Sequence, residues 1–253
     1  MNTSTTARKP TGYIVYEGPS VLDGAPIVVI ATLGTDNRKT GDMVQTWIIR
    51  SDMSPLDASR SKLDSAICGN CPHRWSVGGA CYVNLGQAPT SIYRAYLRGS
   101  YPRLSIGAND NDNDNETLRS LLRNRKVRLG AYGDPAAVPV WVLRLLVSLA
   151  AGHTGYTHQM AHRNFDPAVL QYCMASADTA KQAANLWADK ARTFRIVKDI
   201  AEIKPGEIEC LSDAKGIPCS DCLLCDGKTD QKPNIVIAVH GSRAGRFLNN
   251  KAA

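Results

Sequence analysis

The chain has 253 residues, 43% of them hydrophobic, and 30 lysines and arginines against 23 acidic residues give it a net charge of +7. That length can bury a large core in one domain or two small ones. No apolar run approaches the roughly eighteen residues of a membrane span, and MNTSTTARKPTG lacks the apolar stretch of a signal peptide, so the sequence points to a cytoplasmic protein without a membrane partner.

In chain order, residues 1–12 are Thr/Ser-rich and read as a disordered tail. Residues 13–43 form an N-terminal β extension, with YIVYEGPS and PIVVIAT as strands and LDGAP and GTDNRKTGD as turns. MVQTWIIR opens a third strand, followed by the polar, glycine-containing loop 65–84. PTSIYRAYLRG spaces Ile92, Tyr93, Tyr96 and Leu97 as the core face of a helix. ANDNDNDNE (108–116) lacks the glycine and distal glutamate of a calcium loop and reads as an exposed lead into the helix ETLRSLLRNRK. From Val127, VRLGAY, HTGYTHQ, LQYCMASAD, TFRIVKD and GEIECLSD alternate with helical stretches, including TAKQAANLWADKA, while NIVIAVHGS stands apart near the end. Such alternation argues for parallel βαβ units. The fold class expected is therefore α/β: a partial, six-stranded TIM-like barrel over 44–207, with the β extension before it. A cysteine-rich metal-binding segment with a final strand follows over 208–253.

In a parallel barrel the polar residues at C-terminal strand ends converge on one mouth, which here gathers Asp134, Tyr156, His158, Gln159, Ser176, Asp178 and Arg195. The eight cysteines divide into three, four and one. Cys210, Cys219, Cys222 and Cys225 follow a C-x8-C-x2-C-x2-C pattern, four soft ligands that suit either tetrahedral zinc or an iron–sulfur cluster. Cys173, in the apolar LQYCM, reads as a buried inert thiol. Cys68, Cys71 and Cys81 follow the first barrel strand. Three thiolates on a 4Fe-4S cluster leave one iron open to a cofactor.

The three-cysteine loop after a first barrel strand, the Gly-Asp-Pro at 133–135 closing the second, and the later cysteine cluster together resemble the radical S-adenosylmethionine enzymes. The resemblance implies that Cys68, Cys71 and Cys81 hold a 4Fe-4S cluster whose open iron binds S-adenosylmethionine, which is cleaved to a 5'-deoxyadenosyl radical for hydrogen abstraction. Cys81-Tyr82 is similar to the family's Cys-aromatic pair. Gly133, Asp134 and Pro135 would meet the methionine amino group, Ser176 or Asp178 the ribose, and Arg195 the carboxylate. The four later cysteines would hold an auxiliary cluster, and an electron donor such as flavodoxin or ferredoxin is implied. The spacing here is C-x2-C-x9-C where the family has C-x3-C-x2-C, and Asp134 stands where the family has Glu. The whole chain is also similar to proteins of bacteriophages and plasmids, a setting in which the basic charge makes a nucleotide or nucleic-acid base the expected substrate.

The alternative is a basic nucleic-acid-binding protein with two structural zincs, one held by Cys68, Cys71, Cys81 and His73 and one by the four later cysteines. A metal-dependent nuclease would need a histidine or carboxylate constellation. His158 and His162 have helical metal-ligand spacing, but HTGYTHQ reads as strand, which sends His153 and His158 to opposite faces.

Overall fold

The structure, a computed structural model, describes residues 9–106, 112–227 and 232–249. Most of the tail expected over 1–12 and the first part of the loop expected over 108–116 lie outside them. β1 (Gly12–Pro19), β2 (Pro26–Thr32) and β3 (Met43–Arg50) form an antiparallel meander. Their runs of Ile and Val favour extended backbone, and Ala25-Pro26 and Gly41-Asp42 punctuate them.

After β3 come two short helices, α1 (Pro55–Arg60) and α2 (Ser65–Cys68), and then α3 (Ala88–Leu97) and α4 (Asp112–Leu122). Tyr93 of α3 is buried and Ile92 and Tyr96 are half-buried, but Leu97, expected in the core, is 62% exposed. It is the last residue of the helix. Helix α4 begins at Asp112, inside the stretch expected to be loop, and buries Leu118 and Leu122 one turn apart.

The parallel part then builds up as β4 (Lys126–Tyr132), α5 (Val140–Leu149), β5 (Gly152–Thr157), β6 (Met174–Ala177), α6 (Ala180–Ala188), β7 (Thr193–Val197) and β8 (Glu207–Glu209). The chain continues through α7 (Leu211–Lys215), α8 (Cys219–Cys222), β9 (Asn234–Ala238) and α9 (Ala244–Leu248). Among the described residues there is one nine-stranded sheet, ordered β1-β2-β3-β4-β5-β6-β7-β9-β8, and every pairing from β3 onward is parallel. The sheet is open, with β1 and β8 at its edges, and its parallel run holds seven strands where six were expected.

The seventh is β9, which does not stand apart. It inserts between β7 and β8, pairing Arg195 with Val236 and Ile208 with Ile235. NIVIA is apolar on successive residues, as a strand covered on both faces must be, and Ile235, Val236 and Ile237 are all buried. The segment LQYCMASAD is only half strand. Asp166 caps a 3-10 turn by accepting a hydrogen bond from the Ala168 amide, Pro167 starts that turn, and β6 begins only at Met174.

Alternation along the strands separates two faces. Val127 and Leu129 of β4 are buried in one apolar cluster with Val142, Leu143 and Leu146 of α5. Arg128, Tyr156, Ser176, Phe194, Ile196 and Ile237 face the other way and line a cavity. No helix among the described residues is long and apolar enough to cross a membrane.

Candidate cofactor site between two cysteine groups

The first cysteine group hangs from the C-terminal end of β3. Helix α2 is a single turn that buries Ala66 and Ile67 and ends at Cys68. The nine residues between Cys71 and Cys81 fold back on themselves, so the long gap returns Cys81 to its partners. The Cys81 amide donates to the His73 carbonyl at 2.8 Å and the Gly79 amide to the Arg74 carbonyl at 2.8 Å. Gly79 is required there, because a Cβ would fall 2.3 Å from the His73 carbonyl carbon. Buried Asp64 anchors the excursion, accepting from Arg74 Nη1 at 3.0 Å and Ser76 Oγ at 2.7 Å. From above, Arg243 stacks 4.1 Å over the Trp75 ring and donates to the Gly79 carbonyl, so the segment leading into α9 clamps the loop.

Cys68, Cys71 and Cys81 all line the cavity, as do Gly133 and Asp134. Gly133 has φ +81°, and a Cβ there would sit 2.6 Å from Ile48 Cβ, so only glycine lets this turn approach β3. Asp134 is 8% exposed and both its oxygens are occupied. Oδ1 accepts from the Ala136 amide at 2.9 Å, and Oδ2 from the His158 amide at 2.8 Å and Gln159 Nε2 at 3.1 Å. Gln159 in turn donates to the Cys68 carbonyl and accepts from the Asn70 amide. The Asp134 amide closes the set by donating to the Ile67 carbonyl. Asp134 thus braces the ends of β4 and β5 against the Cys68 turn, and Pro135 is the buried first residue of the 3-10 turn that Asp134 caps. Asp134→Ala would leave these buried N–H groups unsatisfied. It is expected to cost at least about 2 kcal/mol, read as a lowered urea midpoint.

The structure also assembles a constellation that the sequence reading did not. His73 Nε2 lies 2.9 Å and His158 Nε2 3.3 Å from Asp178 Oδ1, while His158 Nδ1 lies 3.6 Å from Cys71 Sγ. Burial works against a charged His158. The neighbouring Cys71, hydrogen bonds to Asp178 and Cys71, and the Asp178 charge overcome it and raise His158 to about 10. Burial likewise works against an ionised Asp178, but its two histidines outweigh it and hold the carboxyl well below its usual range. His73, weighed as a fourth zinc ligand, is therefore committed to Asp178. Asp178, expected at a ribose, is engaged by both histidines and does not line the cavity. Ser176 does line it, buried beside Phe194.

Arg195 is a correction. Phe194 and Ile196 face the cavity, so Arg195 points to the other side of β7. There its Nε and Nη2 meet Glu207 at 2.8 and 2.5 Å. It does not line the cavity.

The second cysteine group faces the first across the cavity. Cys210 caps α7, Cys219 and Cys222 bracket α8, and Cys225 is buried with its thiol hydrogen-bonded to Tyr156. Cys210 and Cys219 line the cavity. The group is fastened to the β2–β3 loop by the Cys219 and Ser220 amides, which donate to the Lys39 and Thr40 carbonyls at 2.9 and 3.0 Å. Arg192 fastens its other end by donating to the Leu224, Gly227 and Pro233 carbonyls. Tyr82 reaches in from the first loop, accepting a hydrogen bond from Arg128 and stacking on His240 at 5.8 Å.

All eight cysteines are unpaired. Burial, then the neighbouring Cys71 and Cys81, push the Cys68 thiol well above its ordinary value, and burial pushes Cys81 up to about 11. Burial also pushes Cys225 up to about 12, against a lowering hydrogen bond from Tyr156. Zn–S bonds of about 2.3 Å set the sulfurs of a tetrahedral site about 3.8 Å apart. Among the described residues the only three such ligand atoms within 4.8 Å of one another are those of His73, His158 and Asp178. Neither cysteine group has single-ion spacing. A cluster that gives each thiolate its own iron spreads the sulfurs wider.

Comparison with known protein families, curated proteins and solved structures finds no match.

Proposed function

We propose that the protein is a radical S-adenosylmethionine-type iron–sulfur enzyme on a partial TIM-like barrel, working in the cytoplasm on a nucleotide or nucleic-acid base. The observation that carries this reading is the cavity over one face of β4, β5, β6, β7 and β9. Its lining includes the three thiols of the first group and the Gly133-Asp134 turn, with Cys210 and Cys219 of the second group, and among the described residues no three sulfurs stand at zinc spacing. The donor set fits the cluster: thiolates are its ligands, and three of them leave one iron for the cofactor.

Cys68, Cys71 and Cys81 would hold the first cluster, and Cys210, Cys219, Cys222 and Cys225 an auxiliary one. When bound, the first cluster supplies one electron, delivered by a flavodoxin- or ferredoxin-like donor, for cleaving S-adenosylmethionine to a hydrogen-abstracting 5'-deoxyadenosyl radical. The chain's own residues position and shield. Asp134 and Gln159 fix the Cys68 turn, His158 holds the Cys71 sulfur, and Phe194, Ile196 and Ile237 give the cavity an apolar wall that excludes water. The test is reductive cleavage of S-adenosylmethionine by anaerobically reconstituted protein, with 5'-deoxyadenosine measured by chromatography. Dithionite-dependent product is expected. Its absence from protein that carries iron and sulfide would refute the reading.

A further inference from the structure

Arg128 is a cation set into the partition between two cavities. On β4 it lines both the cysteine-lined cavity, of about 250 Å³, and a neighbouring recess of about 810 Å³; the two also share Tyr82 and Asn37. The other arginines with little exposed side chain are neutralised: Arg50 by Asp52, Arg74 by Asp64, Arg192 by Asp226 and Arg195 by Glu207. Among the described residues Arg128 has no carboxylate, and its guanidinium donates only to the Tyr82 hydroxyl. Four of its five N–H donors therefore remain for a ligand, in a fork that matches an oxyanion. Acidic groups that would compete are scarce: Asp134 is saturated by its own hydrogen bonds, and Asp36 lines only the outer recess.

The recess supplies the rest of a recognition site. Trp47 and Tyr101 offer aromatic surface, and Asn84 and Gln87 offer amide donors and acceptors. Its volume lies within the range of about 300–1,000 Å³ typical of pockets for small organic ligands.

We propose that Arg128 anchors the phosphate of a mononucleotide whose base lies in the outer recess against Trp47, Tyr101, Asn84 and Gln87. This deepens the function proposed above by naming its substrate class, but binding itself needs neither cluster nor S-adenosylmethionine. A negative cleavage assay and a negative binding assay are therefore separate results.

The test is calorimetric titration of the full chain with AMP, CMP, GMP and UMP, with the matching nucleosides and with inorganic phosphate. At least one monophosphate should bind about tenfold or more tightly than its nucleoside, the return on a charge-assisted pair of hydrogen bonds. Arg128→Gln should erase that preference while leaving the nucleoside's affinity unchanged, and Arg128→Lys should retain part of it. Phosphate alone binding as tightly as the nucleotides would overturn the role of the recess. Absence of saturable binding by any monophosphate, or an undiminished preference in Arg128→Gln, would overturn the site. So would an Arg128→Gln protein that changes only in iron content, since Arg128 would then serve as counter-ion to the Cys219 group. Should Arg128→Gln fail to fold, Arg128→Lys decides: a preference equal to that of the unaltered protein refutes bidentate recognition.

Discussion

Cys68→Ala is expected to lower the iron content of the anaerobically reconstituted protein by about half and to reduce S-adenosylmethionine cleavage to background. Cys68 ends the α2 turn, its carbonyl is held by Gln159, and its sulfur faces the cavity with those of Cys71 and Cys81. Loss of one thiolate from a set of three leaves too few ligands to retain the cluster. The Cys210 group, tied to other parts of the fold by Lys39, Thr40 and Arg192, should keep its own iron. Cys222→Ala should do the reverse, removing about half the iron while cleavage persists. Cys173→Ala is the control. That thiol is buried in the apolar core, 1% exposed, and its removal should leave iron unchanged. Iron that falls to zero in either single-site variant would show that the eight cysteines do not form two independent sites.

Arg195→Met is expected to cost about 3–5 kcal/mol, seen in the urea midpoint, because it strands a buried carboxylate. The Arg195 and Glu207 side chains are 3% and 0% exposed, and the pair is completed by the Glu202 carbonyl and the Lys204 amide. Arg195→Met combined with Glu207→Leu should recover most of the loss, since replacing both members of a buried pair is often neutral. The affinity of the folded variants for S-adenosylmethionine should be unchanged, because Arg195 faces away from the cavity. An unaltered midpoint with weakened cofactor affinity would return Arg195 to the carboxylate-binding role implied by the family resemblance.

Local signals made much of the sheet legible. β1, β2, β3, β4 and β7 follow from β-branched runs bounded by turn residues, and the alternation with helices gives the parallel order from β3 through β7. The insertion of β9 between β7 and β8 was not legible, because which strands neighbour each other is decided by packing across distant segments. The misassignment of Arg195 was a matter of parity: Ser176 pairs with Phe194, so Arg195 one residue later must face outward. The two cysteine groups were visible from spacing, and their facing one cavity bears on what they can do together. The Asp134 and Asp178 networks were not visible. They depend on contacts between residues such as His73 and Asp178, 105 positions apart, that no local pattern encodes. The nine-residue gap before Cys81 is taken up by the fold-back of residues 73–81 under Arg243, which spacing alone does not show.

The most direct measurement is electron paramagnetic resonance of the dithionite-reduced, anaerobically reconstituted protein, recorded with and without S-adenosylmethionine. An open iron on the Cys68, Cys71 and Cys81 group predicts a reduced-cluster signal whose g values shift when S-adenosylmethionine is added, and that shift should be absent in Cys68→Ala. A signal indifferent to S-adenosylmethionine, or a protein that takes up only stoichiometric zinc, would contradict the account.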